Sequence, residues 1–185
     1  MGRAKTPSFV TEIPLRVSPS EERILLSRLE AGRQVYNACL GESLRRLNLL
    51  RQSKAYQAAC KLPCGPKGSP QVKARGKAFA AVRATHGFSE FSLHTYVVPL
   101  SRSWIGEHLD SVTLQTVATR AYRAVNDYFL GKRGRPRFKG YNQMDSLEAK
   151  SDQAGIRWRT DHVEWFGLNL KAVIPPNDPV IAHGL

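Results

Sequence analysis

Several residue groups in this chain have types and spacings that could do chemistry. Cys60 and Cys64 flank Lys61-Leu62-Pro63. A structural zinc site needs two such pairs, or one pair with two close histidines, and the next histidine here is His86. These two therefore read as ordinary thiols. Asp145, Glu148 and Asp152 lie close together, as a two-metal nuclease would require of its carboxylates. They stand in a polar segment beside Asn142 and Lys150 and read as solvated surface. The five histidines have no adjacent nucleophile; His108 falls at a helix end and His162 in a turn. No catalytic residue, metal or cofactor is expected.

The remaining group is basic. In Gly134-Arg135-Pro136-Arg137-Phe138-Lys139-Gly140, glycine and proline favour an extended backbone. Alternation then turns Arg135, Arg137 and Lys139 one way, with Phe138 anchoring in the core or stacking on a base. Guanidinium forks suit phosphate oxygens. The bland alternative is a basic linker. A longer basic stretch precedes it. No Asp or Glu occurs between Glu42 and Glu90, while Arg45, Arg46, Arg51, Lys54, Lys61, Lys67, Lys73, Arg75, Lys77 and Arg83 all fall there. With a net charge of +13, the expected partner is nucleic acid first and an anionic membrane surface second. No stretch approaches the ~20 apolar residues of a spanning helix. The basic N-terminus lacks the apolar core of a secretory signal. Three cysteines without a disulfide framework point to a reducing, cytoplasmic compartment.

These residues need elements to position them. Residues 8–16 alternate, with Phe9, Thr11, Ile13 and Leu15 on one face; this predicts a half-buried strand, and Pro14 places it at an edge or bulge. Ser18-Pro19-Ser20-Glu21 is a helix start with a capping box. The apolar positions Leu25, Leu29, Tyr36, Leu40, Leu44 and Leu47 carry that helix to about Arg51. Gly32 on the same face predicts a close helix–helix approach, and Gly41 a kink. Asn37, a poor mid-helix residue one turn after Arg33, either makes a buried hydrogen bond or reads a base edge. Residues 62–72 read as a loop. Shorter helices are expected at 76–85, 89–98 and 101–109, with Ser89 and Ser101 as caps. Asp110 opens the clearest helix, with Leu114, Val117, Ala118, Ala121, Val125 and Tyr128 on one face and Gly131 at its end. Strands follow: 156–159, a turn at 160–162, 163–166, then 168–173 after Gly167.

The set formed by the strand at 8–16, Arg33-Gln34-Val35-Tyr36-Asn37, Leu114-Gln115 with Ala121 and Phe129, and Arg135-Pro136-Arg137-Phe138-Lys139 resembles the TnpB (OrfB) family in order and spacing. These are transposon-encoded RNA-guided nucleases related to the compact type V CRISPR effectors. The resemblance spans about residues 8–173. It implies an α+β fold: a partial wedge-type β-barrel with a helical recognition domain inserted after its first strand. On that division residues 1–17 give the first strand, 18–131 the helical domain, 132–174 the remaining strands and 175–185 a tail at a truncation point. It also implies a guide RNA and duplex DNA as partners, with Ser111, Val112, Gln115, Ser151 and Asp152 near the surface that reads a short motif flanking the target. Arg135, Arg137 and Lys139 would lie near nucleic-acid backbone. Family enzymes continue into a RuvC-like nuclease with a zinc ribbon; this sequence carries neither, so no cleavage by this chain alone is expected.

The expected nucleic-acid contacts are thus Arg33, Asn37, Arg45, Arg46, Lys54, Ser111, Gln115, Arg123, Arg135, Arg137, Lys139, Ser151 and Asp152. Two other readings compete. One is a stand-alone transcriptional regulator that places Arg120 and Arg123 of the Asp110 helix at base edges. The other is an assembly protein whose open sheet edge pairs with a separate chain completing the fold.

Overall fold

The computed structural model describes residues 10–175. One strand comes first, β1 (Leu15–Arg16), then five helices: α1 (Pro19–Gln52), α2 (Lys54–Lys61), α3 (Pro70–Thr85), α4 (Glu90–Val97) and α5 (Ser111–Phe129). Two 3-10 turns, Val98–Arg102 and Trp104–Glu107, link α4 to α5. Three strands close the order: β2 (Arg157–Trp158), β3 (His162–Trp165) and β4 (Leu168–Ala172). The protein is α+β.

Local chemistry sets the helix boundaries. The Ser18 side chain accepts from the Glu21 amide, and the Glu21 carboxylate accepts from the Ser18 amide at 2.8 Å. The Ser18 hydroxyl also donates to that carboxylate at 2.7 Å, and this bond first, with the one from the Ser18 amide, holds the Glu21 carboxyl below its ordinary range. Asp110 caps α5 by accepting from the Val112 and Thr113 amides, both at 2.9 Å. Gly131, at φ +71°, ends it. Pro70 at the first turn extends α3 upstream of the expected 76–85. Pro99 diverts the chain after Val97 into 3-10 turns, so the helices expected at 89–98 and 101–109 shrink to α4 and the two turns. Ser103, rather than Ser101, caps the second turn.

α1 runs unbroken through Gly41. Its face of Ala31, Val35, Tyr36, Cys39, Leu40, Leu44, Leu47 and Leu50 is buried against the Leu114, Val117, Ala118, Ala121 and Val125 face of α5. After Gly131 the chain runs back along this pair. Leu147 fills the dent at Gly32, where an added Cβ would lie 2.8 Å from Leu147 Cδ2. The close approach is thus a leucine on the returning chain, not a second helix.

The sheet is antiparallel, in the order β1-β4-β3-β2. The order is open, and no barrel closes among the described residues. The predicted strand at 8–16 reduces to Leu15–Arg16, paired with Ala172 and Lys171. Val10 is 98% exposed, and Pro14 has no amide to give; its carbonyl alone is used, by the Val173 amide at 2.8 Å. Residues 8 and 9 lie outside the described residues. β3 and β4 are joined by a two-residue turn with Phe166 at φ +44° and Gly167 at φ +83°, the doubly left-handed geometry of tight hairpins. Phenylalanine is costly there, by roughly 1 kcal/mol or more.

Arg28 holds that turn. It is 5% exposed and donates to the Trp165 carbonyl (2.8 Å) and the Phe166 carbonyl (2.6 Å). Its guanidinium also lies 4.6 Å from the Trp165 ring centroid. Trp165 in turn donates through Nε1 to Asp110 Oδ2 at 3.2 Å. One junction therefore ties α1, the hairpin and the cap of α5. Burial lowers the Arg28 pKa, and the Asp110 charge works against that.

Candidate nucleic-acid interface

The acid-free stretch folds as the end of α1 and the hairpin α2–α3. Tyr56 fixes the hairpin to the body, with ring centroids 5.7 Å from Phe79 and 6.1 Å from Phe129. All five arginines of the stretch are engaged. Arg45 and Arg46 both pair with Glu42 at 2.7 Å, and Arg46 also donates to the Gly87 carbonyl. Arg51 lies 5.0 Å from the Tyr128 ring. Arg75 lies over Phe79 and donates to Cys64 Sγ. Arg83 donates to the Tyr122 hydroxyl and to Asn126 Oδ1. The five lysines, Lys54, Lys61, Lys67, Lys73 and Lys77, are exposed, and their ammoniums make no hydrogen bond or ion pair among the described residues.

The second basic element is the returning chain. Asn37 grips its backbone with both arms of the amide: Nδ2 donates to the Lys139 carbonyl at 2.8 Å, and Oδ1 accepts from the Lys139 amide at 2.9 Å. Arg33 adds a 3.1 Å bond to the same carbonyl while paired with Glu30. The Lys139 ammonium donates to the Gln143 carbonyl at 2.8 Å. Phe138 crosses α1 at Gly41, where a Cβ would sit 3.7 Å from its ring, and stays 57% exposed. With the backbone fixed at residue 139, Arg133, Arg135 and Arg137 project into solvent without partners among the described residues. Tyr36, Pro136, Phe138, Arg133, Arg137 and Lys139 line a groove of about 370 Å³. No Asp or Glu lines it.

The start of α5 meets the segment 148–155. Lys150 Nζ donates to Gln115 Oε1 at 2.9 Å, Thr116 Oγ1 to the Glu148 carbonyl at 3.1 Å, and Gly155 stands against Asp110 and Val112. Ser111 lies exposed on the first turn of the helix. Ser151 and Asp152 form an exposed turn bridged from Ser151 to Ala154. A larger groove, about 660 Å³, opens between α4, α5 and this segment, with Arg123 on its wall. It mixes Glu90 and Glu148 with Arg123 and Lys150. Inside it, Thr119 donates to Glu90 (2.9 Å) and faces His94 Nε2 (2.8 Å). The hydroxyl has one proton and Glu90 takes it, so Nε2 is the donor to Thr119. Burial lowers the His94 pKa.

The thirteen expected contacts therefore separate. Gln115 and the turn at Ser111 meet Lys150 and Gly155, which bracket Ser151 and Asp152, Arg135 and Arg137 lie two residues apart on the returning chain, and Arg123 stands on the wall of the larger groove. Arg33, Asn37, Arg46 and Lys139 are committed to internal bonds, because a carboxylate or carbonyl lies within reach of each. Asn37 is a backbone clamp rather than a base reader. Arg45 is paired, while Lys54 is free. Arg120, the other groove-reading candidate, donates to the Ser146 carbonyl at 3.0 Å, and α5 is packed between α1 and α4 rather than presented as a free recognition helix.

Arg28 and the division between arginines and lysines escaped the sequence reading. A basic residue on the apolar face of a helix was the available signal for Arg28. Among the described residues no group of three His, Cys, Asp or Glu gathers as metal ligands would. Cys60 and Cys64 are free and exposed, and Cys39 is buried, which pushes its thiol up to about 12. No helix of the described residues is long and apolar enough to cross a membrane. No family model, no curated protein and no solved structure matches the chain.

Proposed function

We propose that this chain grips the sugar-phosphate backbone of nucleic acid, as the guide-holding, target-flank-reading part of a TnpB-like RNA-guided nuclease, with its sheet corresponding to part of the wedge barrel. The observation that carries the reading is two clusters among the free cations: five lysines on the α2–α3 hairpin and three arginines on the returning chain, none of whose side chains has a hydrogen-bond or ion-pair partner among the described residues. Exposed cations without carboxylates repel one another, and a polyanion relieves that repulsion. The contacts of Lys150 with Gln115 and of Gly155 with Val112, on either side of the 151–152 turn, are compatible with reading a short duplex motif near the start of α5, while guide pairing would read the target.

Filter-binding titration with structured RNA and with duplex DNA tests this. Eight free cations on as many phosphates give a log–log salt slope of roughly −6 to −7, and a ~10³–10⁵-fold loss of affinity between 50 and 200 mM salt. Absence of binding at low salt refutes the reading. Selection from random duplexes that returns a strong consensus with no RNA present favours the transcriptional regulator instead.

A further inference from the structure

We infer that the groove between Tyr36 and the 133–139 segment is a pocket for one nucleotide of the bound strand, taking a base on the exposed face of Phe138 and its phosphate between Arg133 and Arg137. The inference rests on the nucleic-acid reading above and adds a specific site to it.

The wall is built, not incidental. Three hydrogen bonds from α1, two from Asn37 and one from Arg33, lock the peptide at Lys139. The Lys139 ammonium is itself tied to Gln143 and stands 5.9 Å from the Tyr36 ring centroid. Phe138, next to the lock, cannot swing into the core, because α1 lies beneath it at Gly41. It is held half out of the protein at 57% exposure, which leaves apolar surface facing water beside two unpaired guanidiniums. Tyr36 is 7% exposed and lines the groove, and its hydroxyl makes no hydrogen bond among the described residues. A phenol is protonated at neutral pH, and burial only raises its pKa further, so the hydroxyl is a free donor.

The volume, about 370 Å³, lies at the small end of ligand sites and suits a single nucleotide rather than a duplex. An all-cationic rim with an aromatic face is the combination that single strands use, phosphate on the cations and base on the ring. The larger groove beside α4 is a poorer choice for this role, since Glu90 and Glu148 line it.

The test uses the whole chain, a single-stranded RNA carrying 4-thiouridine, and a DNA of the same sequence. Phe138→Ala should weaken strand binding about tenfold. Arg137→Gln should weaken it several-fold and lower the salt slope by about one. Photo-crosslinked peptides should include residues 133–143. Both altered side chains are exposed, and a thermal melt matching the wild type confirms folding. Tyr36→Phe, which removes only the hydroxyl, should lower affinity with no change in salt slope. Crosslinks confined to the α2–α3 hairpin, with wild-type affinity in Phe138→Ala and Arg137→Gln, overturn the pocket but leave the nucleic-acid reading intact. Failure of the wild-type chain to bind either strand overturns both.

Discussion

The junction around Arg28 and the hairpin α2–α3 carry charge of the same sign and use it in opposite ways. At the junction one guanidinium is buried, donates to two carbonyls, and fixes the turn that shapes the sheet. On the hairpin the lysine ammoniums are exposed and make no hydrogen bond or ion pair among the described residues. Within the acid-free stretch the same division follows residue type, with every arginine engaged and every lysine free. Arginine's planar fork meets carbonyls, carboxylates and ring faces with little further ordering, whereas an ammonium on four methylenes is better hydrated and costs more entropy to fix. Local cation density therefore overstates the available interface. The carbonyls and rings that the fold brings near each arginine decide what remains for a partner.

The sharpest way to break that contrast is to remove the buried member. Arg28→Met keeps bulk but strips both charge-assisted bonds, leaving the Trp165 and Phe166 carbonyls unserved and Phe166 in an unfavourable backbone region. A loss of about 3 kcal/mol in urea unfolding is expected, with nucleic-acid affinity per folded molecule unchanged. An unaltered unfolding midpoint would show that the junction is ornamental.

The opposite pattern is expected from the hairpin. Replacing Lys54, Lys61, Lys67, Lys73 and Lys77 with glutamine should move stability by no more than ~0.5 kcal/mol. Affinity should fall at least tenfold at low salt, and the log–log salt slope should shrink by up to about four. Stability lost in step with affinity would mean that the lysines are structural after all.

Asn37 lies between these extremes and sharpens the line between them. Asn37→Ala removes two hydrogen bonds to Lys139, part-buried and in good geometry, and should cost about 1–2 kcal/mol. It should also weaken nucleic-acid binding several-fold, because Arg133, Arg135 and Arg137 lose their fixed backbone. Retained affinity would show that the returning chain does not depend on this clamp for binding.

What was legible in the sequence was local. Ser18-Pro19-Glu21 and Asp110 marked their helix starts because a cap is a bargain among residues three apart. The Phe166-Gly167 hairpin fell near its expected place for the same reason. Arg28 was not legible, since its acceptors lie 137 and 138 residues away. Gly32 predicted the approach of a second helix, and the neighbour is instead Leu147 on the returning chain, which nothing within a helix pattern could supply. Asn37 stood out as misplaced in a helix, yet choosing between a base and a buried bond needed Lys139, 102 residues on. The strand at 8–16 was overread because alternation sets which side chains share a face but does not supply a partner backbone. The candidate site shares this limit. Its basic residues were visible, and their availability was not.

The smallest expected effect concerns acid. Glu42 serves both Arg45 and Arg46, and the hydrogen bonds from those guanidiniums, Arg45 first, push its carboxyl from the ordinary 4.5 down to about 2. A depressed carboxyl contributes stability that is full above its unfolded value and disappears as pH falls through the folded one. The window is therefore pH 5 down to about 2. Solvent reaches Arg45, which is 61% exposed, so the contribution is about 1–2 kcal/mol rather than the full linkage value. Thermal melts of wild type and Glu42→Gln at pH 7 should differ by that amount and converge near pH 2. Binding offers the complementary reading. In Glu42→Gln, Arg45 loses its pairing while remaining exposed, so the variant should bind nucleic acid slightly more tightly than wild type at low salt and show a steeper salt slope. A variant that is destabilised but keeps the wild-type slope would mean that an arginine released from its carboxylate still does not join the interface, and that position on the fold, rather than freedom from a partner, selects the gripping cations.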